Sequence, residues 1–154
     1  MRVLVQPQPF DAAQLLRGFG AGAGAVVTFT GLVRGEDGLV ALDIEHYPGM
    51  TEKALRAHAE AAAARFGLSD VLVVHRHGHL AVGEPIMMVA TAAPHRRSAF
   101  EAADFLMDWL KSRAPFWKRE IGAEGPRGWV LHAADAYFNR AEMHPPSGAG
   151  VEVA

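Results

Sequence analysis

The segment Pro85-Ile86-Met87-Met88-Val89-Ala90-Thr91-Ala92-Ala93 is apolar at both odd-numbered and even-numbered positions from Ile86 to Ala90. A half-exposed strand alternates apolar and polar residues, whereas a short continuous apolar run between turn residues is typical of a strand covered on both faces. Gly83 and Glu84 precede the run and supply such a turn. We therefore expect a central strand with other elements packed on both sides of its sheet.

The segment from Arg97 to Arg113 has the spacing of an amphipathic helix. Apolar residues recur every three or four positions, and Pro115 prevents the helix from continuing. The expected apolar stripe consists of Phe100, Ala103, Met107 and Leu110, flanked by Ala99, Leu106 and Trp109. A helix of this kind buries its stripe against a sheet or another helix.

Other parts of the chain alternate between strand and helix patterns. The expected elements are an edge strand at Arg2–Val5, a short helix capped by Asp11, strands at Ala25–Val33 and Leu39–Tyr47 that form a hairpin, a helix from an N-cap at Thr51 to Phe66 closed by Gly67, a strand at Val71–Leu80, and short strands at Phe116–Ile121 and Trp129–His132. This order lacks regular β-α-β spacing, so it predicts an α+β fold with a mixed sheet. We expect residues 1–140 to form one domain and residues 141–154 to form a loose C-terminal tail.

Composition excludes several classes of function. The 154 residues are half apolar and 21% charged, which is typical of one globular domain. The chain contains no cysteine, which excludes disulfides, thiolate metal ligands and a cysteine nucleophile, and which agrees with a reducing, cytoplasmic location. The formal charge of −2 provides no general attraction to nucleic acid or membranes. No signal peptide or membrane-spanning run is expected.

Basic residues gather at the two ends of the predicted helix. Arg96 and Arg97 lie near its start, where the helix dipole favours anions over cations. Together with free backbone N–H groups they can form a cradle for an anion. The alternative is an ordinary solvated basic end.

Lysine is rare in this chain, which contains three lysines and twelve arginines. Lys111 and Lys118 lie seven residues apart, around aromatic residues. Unlike arginine, lysine can lose its proton, attack a carbonyl or act as an acid or base when it is desolvated. The two lysines are therefore candidate catalytic residues, and two ordinary lysines at a surface helix end are the alternative.

His75, His77 and His79 alternate along the predicted strand, so that their side chains share one face. Strand histidines can bind zinc, and a metal-dependent hydrolase is the enzyme alternative that these residues suggest. However, they lie roughly 7 Å apart in a straight strand, and no adjacent carboxylate orients the rings. We therefore expect the exposed face of a hairpin and no metal site.

Three blocks of sequence together resemble one known family. They are Val26-Val27-Thr28-Phe29-Thr30-Gly31-Leu32-Val33-Arg34, Leu42-Asp43-Ile44-Glu45-His46-Tyr47-Pro48-Gly49-Met50 and Lys111-Ser112-Arg113-Ala114-Pro115-Phe116-Trp117-Lys118-Arg119-Glu120. With the segment around His95 and Arg96, the chain resembles the large, catalytic subunit of molybdopterin synthase over about residues 1–131. The resemblance implies an α/β hammerhead-type fold, with a mixed or antiparallel sheet and a small extra β-subdomain.

The resemblance also implies the activity and the partners. Enzymes of this family add two sulfurs to cyclic pyranopterin monophosphate and so form the dithiolene of molybdopterin. The sulfur comes from the C-terminal thiocarboxylate of a small ubiquitin-like sulfur-carrier subunit, and no cofactor is permanently bound. A homodimer at the centre of a heterotetramer is implied, with one carrier at each end. The absence of cysteine agrees, because this chain cannot relay sulfur itself.

Carried over by position, the implied substrate-binding residues are Leu32, Val33, Arg34, His95, Arg96, Lys111, Lys118, Arg119 and Glu120. Arg34 and Arg96 would bind anionic oxygens, Lys111 would be the central catalytic residue, and Lys118 would bind substrate and stabilise charge. His95 would move a proton, and the His95-Arg96 pair can come from the other subunit. Beside Lys111 we expect an apolar groove for the carrier's Gly-Gly tail, formed by Phe29, Met107 and Phe116.

Two other classes of function compete with this interpretation. A nucleic-acid-binding module needs basic and aromatic residues interleaved across an exposed sheet, whereas the bases here gather at helix and strand ends. A non-catalytic scaffold requires Lys111 and Lys118 to be exposed and dispensable.

Overall fold

The computed structural model describes residues 1–131 and 151–153. Its elements are β1 (Arg2–Gln6), α1 (Ala12–Leu15), β2 (Ala25–Leu32), β3 (Leu39–His46), α2 (Met50–Phe66), β4 (Asp70–Arg76), β5 (Gly78–Ala81), β6 (Pro85–Ala93), α3 (Arg96–Ser112), β7 (Phe116–Gly122), β8 (Gly125–Leu131) and β9 (Val151–Val153). In the described ranges, no helix has the length and apolar character needed to cross a membrane.

The first sheet has the strand order β1-β4-β6-β2, with β1 and β4 parallel and the other pairs antiparallel. Met87 and Val89 of β6 belong to a core that includes residues of α2 and α3, and Met88 and Ala90 belong to a second core beside α1. The apolar run thus forms an inner strand buried on both faces, which confirms the prediction. The prediction that β1 lies at an edge is also confirmed.

The second sheet has the order β5-β3-β7-β8-β9 and is antiparallel except for the pair β8–β9. It corresponds to the extra β-subdomain that the family resemblance implied, although its five strands outnumber the four of the first sheet. Two sheets with helices on the first confirm the α+β class.

The predicted hairpin of Ala25–Val33 with Leu39–Tyr47 is wrong, because the two strands belong to different sheets. β2 pairs with β6, and β3 pairs with β5 and β7. After β2, the N–H of Val33 donates to the carbonyl of Glu84, and the carbonyl of Val33 accepts from Gly83. These bonds keep the chain beside β6 before it crosses to the second sheet.

The single strand predicted from Val71 to Leu80 is also wrong. β4 ends at Arg76 in the first sheet, and β5 begins at Gly78 in the second. Gly78 has φ of 92°, a backbone conformation that favours glycine, and it marks the crossing between the sheets. The histidines on either side of it therefore have different surroundings.

α2 begins earlier than its predicted cap. Gly49 is the N-cap, and Thr51 lies inside the first turn. The Glu52 carboxylate accepts from the N–H of Gly49 at 2.6 Å, and the Thr51 hydroxyl accepts from Tyr47 at 3.1 Å. Asp11 caps α1 and Gly67 closes α2 in the left-handed conformation, so those two predictions are confirmed.

The predicted helix at Arg97–Arg113 is confirmed as α3, but its buried face is rotated from the predicted stripe. Phe100 is 62% exposed, whereas the alanines at 99, 102 and 103 are buried. The Thr91 hydroxyl of β6 donates to the carbonyl of Ala99 at 2.7 Å, so this small-residue face lies close against the strand. The close approach turns Phe100 away from the core.

Part of the predicted C-terminal tail can be compared with the structure. Val151–Val153 form β9, which pairs in parallel with β8. The rest of the tail, and the predicted strand end at His132, lie outside the described residues.

Candidate active site

A cleft of about 510 Å³ lies where the end of β2, the last turn of α3 and the second sheet meet. Its lining includes the charged residues Arg34, Glu36, Asp37, Lys111, Lys118, Glu120 and Arg127 and the apolar residues Phe29, Leu32, Leu39, Leu42, Ile86, Met87, Met107, Leu110 and Val130, together with His75. Basic groups and an apolar wall therefore share one cavity.

Lys111 and Lys118 both line this cleft. Lys111 lies in the last turn of α3, and the N–H groups of Arg113 and Ala114 then donate to the carbonyl of Trp109, which closes the helix. Thr51 of α2 donates its hydroxyl to the carbonyl of Pro115 at 3.3 Å and so fixes the turn. The chain reverses there, and β7 presents Lys118 to the same cavity.

The two faces of β7 have different surroundings. Lys118 and Glu120 line the cleft, and Phe116 packs beneath it. Arg119 faces the other side, as strand alternation requires, and forms an ion pair with Asp43 at 2.9 Å above the ring of Trp129. Of the implied substrate-binding residues, Arg119 is therefore one that does not line the cleft.

Asp43 is the carboxylate at the centre of this neighbouring network. Burial alone would raise the pKa of Asp43, but hydrogen bonds and charge from Arg119 and His79 outweigh burial and hold the pKa below its usual value. Asp43 is therefore an ionised partner for both groups.

The acids of the cleft bind its arginines. Arg34 pairs with Glu36 at 3.0 Å and Arg127 pairs with Glu120 at 3.2 Å. Arg127 also donates to the carbonyl of Asp37 at 2.7 Å, so it links the β2–β3 connection to β7. Within the described part of the chain, Lys111 forms no ion pair with a carboxylate, which leaves its charge available to an anionic ligand.

The remaining implied residues divide between the cleft and other places. Leu32 and Arg34 line the cleft, but Val33 is buried in the core. Phe29 and Met107 line it as expected, whereas Phe116 is buried below the surface.

His95 and Arg96 lie at the opposite end of α3 from Lys111. At 1.5 Å per residue, the helix separates Arg96 from Lys111 by roughly 22 Å. The N–H of Gly24 donates to the carbonyl of Ala93, so this end of α3 lies beside the start of β2, whereas the cleft is lined by the last residues of β2. One chain does not bring His95 and Arg96 to its own cleft.

The three alternating histidines have different surroundings. His75 is buried and lines the cleft, the ring of His77 packs against that of His46 with 4.1 Å between centroids and a tilt of 37°, and the exposed His79 binds Asp43 at 2.7 Å. The expected exposed hairpin face is therefore wrong for His75. Among the described residues, no group of three or more histidines and carboxylates can hold a metal ion, and the hydrolase alternative has no support.

His75 and Arg127 are among the residues of the cleft that the sequence did not identify as part of the site. The signal for His75 was available: Val71–Val74 is apolar on both faces, and a polar residue that continues a buried strand is itself expected to be buried. Arg127 follows Gly125-Pro126, and this start of β8 had no strand pattern.

Comparisons with known proteins agree with this architecture. A family model described as MoaE protein matches residues 5–113. The molybdopterin synthase catalytic subunit of Cereibacter sphaeroides is 63% identical over 134 residues, which cover 84% of this chain and 91% of that protein.

Two solved structures are also similar. The MoaE protein of Burkholderia ambifaria has 42% identity and a TM-score of 0.73, covering 92% of this chain and 98% of that one. Molybdopterin synthase from Staphylococcus aureus has 28% identity and a TM-score of 0.75, covering 84% of this chain and 96% of that one. The chain therefore belongs to the MoaE protein family.

Proposed function

We propose that this chain is the catalytic subunit of a molybdopterin synthase, a sulfurtransferase that adds two sulfurs to cyclic pyranopterin monophosphate. The observation that carries the proposal is the cleft that joins Lys111 and Lys118 to an apolar wall. An anionic pterin needs cationic groups, and Arg34 can provide a bidentate contact to phosphate oxygens. The names of its similar relatives support the same activity.

The sulfur is supplied by a partner, because the chain has no cysteine to carry it. A thiocarboxylate at the C-terminus of a small ubiquitin-like carrier is the proposed donor. The thiocarboxylate sulfur bonds to a carbon of the pterin and displaces an oxygen substituent from that carbon, and this oxygen takes up a proton. Water then attacks the carbonyl of the resulting thioester, the bond between that carbonyl and the sulfur breaks, and the carrier leaves as a carboxylate while the sulfur stays on the pterin as a thiolate. A second carrier supplies the second sulfur in the same way. Lys111 lies where its ammonium can stabilise the charge that develops on the carrier's terminal carbonyl.

The apolar wall beside Lys111 supports the binding of an extended Gly-Gly tail. Phe29, Leu32 and Met107 contribute to this wall, and a tail without side chains can pass between such residues to reach the lysine. A thiocarboxylated carrier shortened by its last two glycines should lose both affinity and turnover. Unchanged binding with sustained turnover would contradict this use of the wall.

A homodimer would complete the site. β2 is an edge strand of the first sheet in the described chain, and its exposed residues include Val26, Phe29 and Leu32. α3, which packs on β2, exposes Phe100. An unprotected apolar edge favours pairing with another strand. Antiparallel pairing of two β2 strands would bring the partner's His95 and Arg96 towards Leu32 and Arg34 of this chain, and such a two-fold interface forms two equal sites.

Subunit complementation tests the shared site. The Lys111→Ala and Arg96→Ala proteins should each be inactive. When the two proteins are mixed and allowed to exchange subunits, about half of the dimers contain one subunit of each kind, and each such dimer has one intact site out of two. The mixture should therefore recover about one quarter of wild-type activity. Mixing Lys111→Ala with Lys118→Ala is the matched control, because both changes lie in the same cleft and should restore nothing. No recovery in the test mixture, or equal recovery in the control, would contradict the composite site.

A further inference from the structure

His75 is a buried polar residue that the proposed chemistry does not use. It is 2% exposed, lies near the end of β4 and lines the cleft beside Lys118. A polar side chain is rarely buried without a specific hydrogen-bonding role. The contacts of its ring show which of its two nitrogens is available to the cleft.

The ring of His75 is held in one orientation and one tautomer. Its Nδ1 lies 2.7 Å from the carbonyl oxygen of Arg76, and a carbonyl can only accept, so Nδ1 carries the proton. The ring stacks on Phe116 with 3.7 Å between centroids and an interplanar angle of 15°. Arg76 is fixed in turn by the carbonyls of Pro7 and Pro85. Nε2 therefore carries the lone pair.

His75 stays neutral at working pH. Burial, followed by the charge of Lys118, lowers the pKa of His75 to about 3, although the bond to Arg76 acts in the opposite direction. His46 and His77 also lie close enough to disfavour a charge on the ring. Nε2 is therefore a constant acceptor, able to receive a hydrogen bond without adding charge to a basic cleft.

The spacing of β7 aligns this acceptor with Lys118. Phe116 and Lys118 are two residues apart and share a face of the strand, and Phe116 is the residue on which His75 stacks. We propose that His75 is a positioning residue whose Nε2 accepts a hydrogen bond from the Lys118 ammonium and holds that ammonium towards the cleft. The consequence for turnover rests on the proposed function, but the hydrogen bond itself does not.

The small number of lysines makes a direct test practical. The full chain is labelled with [¹³C]lysine, and NMR titration follows Lys53, Lys111 and Lys118, assigned with single lysine-to-arginine variants. His75→Phe keeps a ring for stacking on Phe116 but removes both nitrogens. His75→Gln supplies an amide oxygen near the position of Nε2.

The titration midpoint of Lys118 should fall by roughly one pH unit in His75→Phe, because the charged ammonium loses an acceptor. Lys53 and Lys111 should keep their midpoints, and His75→Gln should recover most of the Lys118 shift. The other charged groups of the cleft, Glu120, Arg127 and Arg34, are the same in both variants. An unchanged Lys118 midpoint in folded His75→Phe, or equal shifts in both variants, would overturn the proposal.

A second measurement needs no substitution at His75. In ¹⁵N-histidine spectra, the Nε2 resonance of His75 should be that of an unprotonated nitrogen that accepts a hydrogen bond, and it should move to the free-acceptor position in Lys118→Met. A protonated Nε2, or a resonance that does not respond to Lys118→Met, would contradict the bond. In steady-state assays, His75→Phe should lower kcat roughly tenfold with little change in KM, since only the orientation of the Lys118 ammonium is altered.

Discussion

Lys111 of α3 and Lys118 of β7 line the same cleft, although they belong to different layers of the fold. The turn at Pro115, held by the Thr51 hydroxyl, brings the two together. They are two of the three lysines in a chain that otherwise uses arginine for positive charge. This pairing is the basis of the proposed chemistry, and it can be tested by exchanging lysine for arginine.

Lys111→Arg and Lys111→Ala should both lower turnover by roughly 10² or more, as expected when a positioned charge stabiliser or acid–base group is lost. Arginine keeps the charge but brings a larger, planar group that does not lose its proton. Lys53→Arg is the matched control, because Lys53 is exposed on α2 outside the cleft. Steady-state turnover checks this expectation, and near-normal turnover of Lys111→Arg would reduce Lys111 to an anion contact.

The double variant His77→Gln, His79→Gln should retain pterin conversion within a few-fold. His77 packs against His46, and His79 binds Asp43 at the surface, so neither side chain reaches the cleft. Turnover and metal content are measured together. A hundred-fold loss of activity, accompanied by stoichiometric zinc in the unchanged protein, would return the hydrolase to consideration.

His75 should make the protein less stable as the pH falls. The unfolded chain protonates this residue near pH 6.5, whereas the folded chain keeps it neutral down to about pH 3. Between these values the unfolded state binds more protons, so the free energy of unfolding is greatest above pH 6.5 and decreases as the pH drops. Through His75, lowering the pH from about 7.5 to about 5 should decrease the free energy of unfolding by about 2 kcal/mol.

Urea unfolding of the wild type and His75→Gln at both pH values measures this contribution. The difference in stability between the two proteins should shrink at the lower pH, because glutamine does not titrate. A constant difference at both pH values would show that His75 does not supply the dependence.

Arg76→Lys should lower the free energy of unfolding by about 2–4 kcal/mol. The guanidinium is 4% exposed and donates to the carbonyls of Pro7 and Pro85 and to the Glu84 carboxylate. A lysine cannot reproduce this forked set, so buried acceptors lose their partners. Arg97→Lys, at an exposed pair with Glu101, is the control and should leave the free energy of unfolding nearly unchanged. Equal effects of both substitutions in urea unfolding would contradict this account.

Local sequence patterns predicted the helices and strands of this fold better than they predicted which strands pair with each other. The apolar run Ile86–Ala90 identified the inner strand because burial on both faces is a property of the strand's own residues. The two successive strand patterns Ala25–Val33 and Leu39–Tyr47 suggested a hairpin, but β2 pairs with β6 and β3 pairs with β7, and both of these partners follow much later in the chain. Phe100 was assigned inward by its spacing in the apolar stripe, but the alanines of α3 permit closer packing on the neighbouring face, and Phe100 is exposed.

Part of the lining of the cleft was predictable from residue type alone. The rarity of lysine pointed to Lys111 and Lys118, and both line the cleft. Lys118 and Glu120 line the cleft, whereas Arg119 lies on the opposite face of β7 and pairs with Asp43. The family resemblance names all three residues and does not show on which face of the strand each one lies. His75 was missed because Gly78 divides a segment that the sequence pattern treated as one strand.

In the proposed reaction, this chain transfers sulfur that a partner protein carries. The most direct measurement is mass spectrometry of the pterin product after incubation of the purified chain with cyclic pyranopterin monophosphate and a carrier whose thiocarboxylate contains ³⁴S. We expect a dithiolene in which both sulfurs carry the heavy isotope, and no dithiolene when the carrier ends in an ordinary carboxylate. No dithiolene with the labelled carrier, or a product containing unlabelled sulfur, would contradict the proposed reaction.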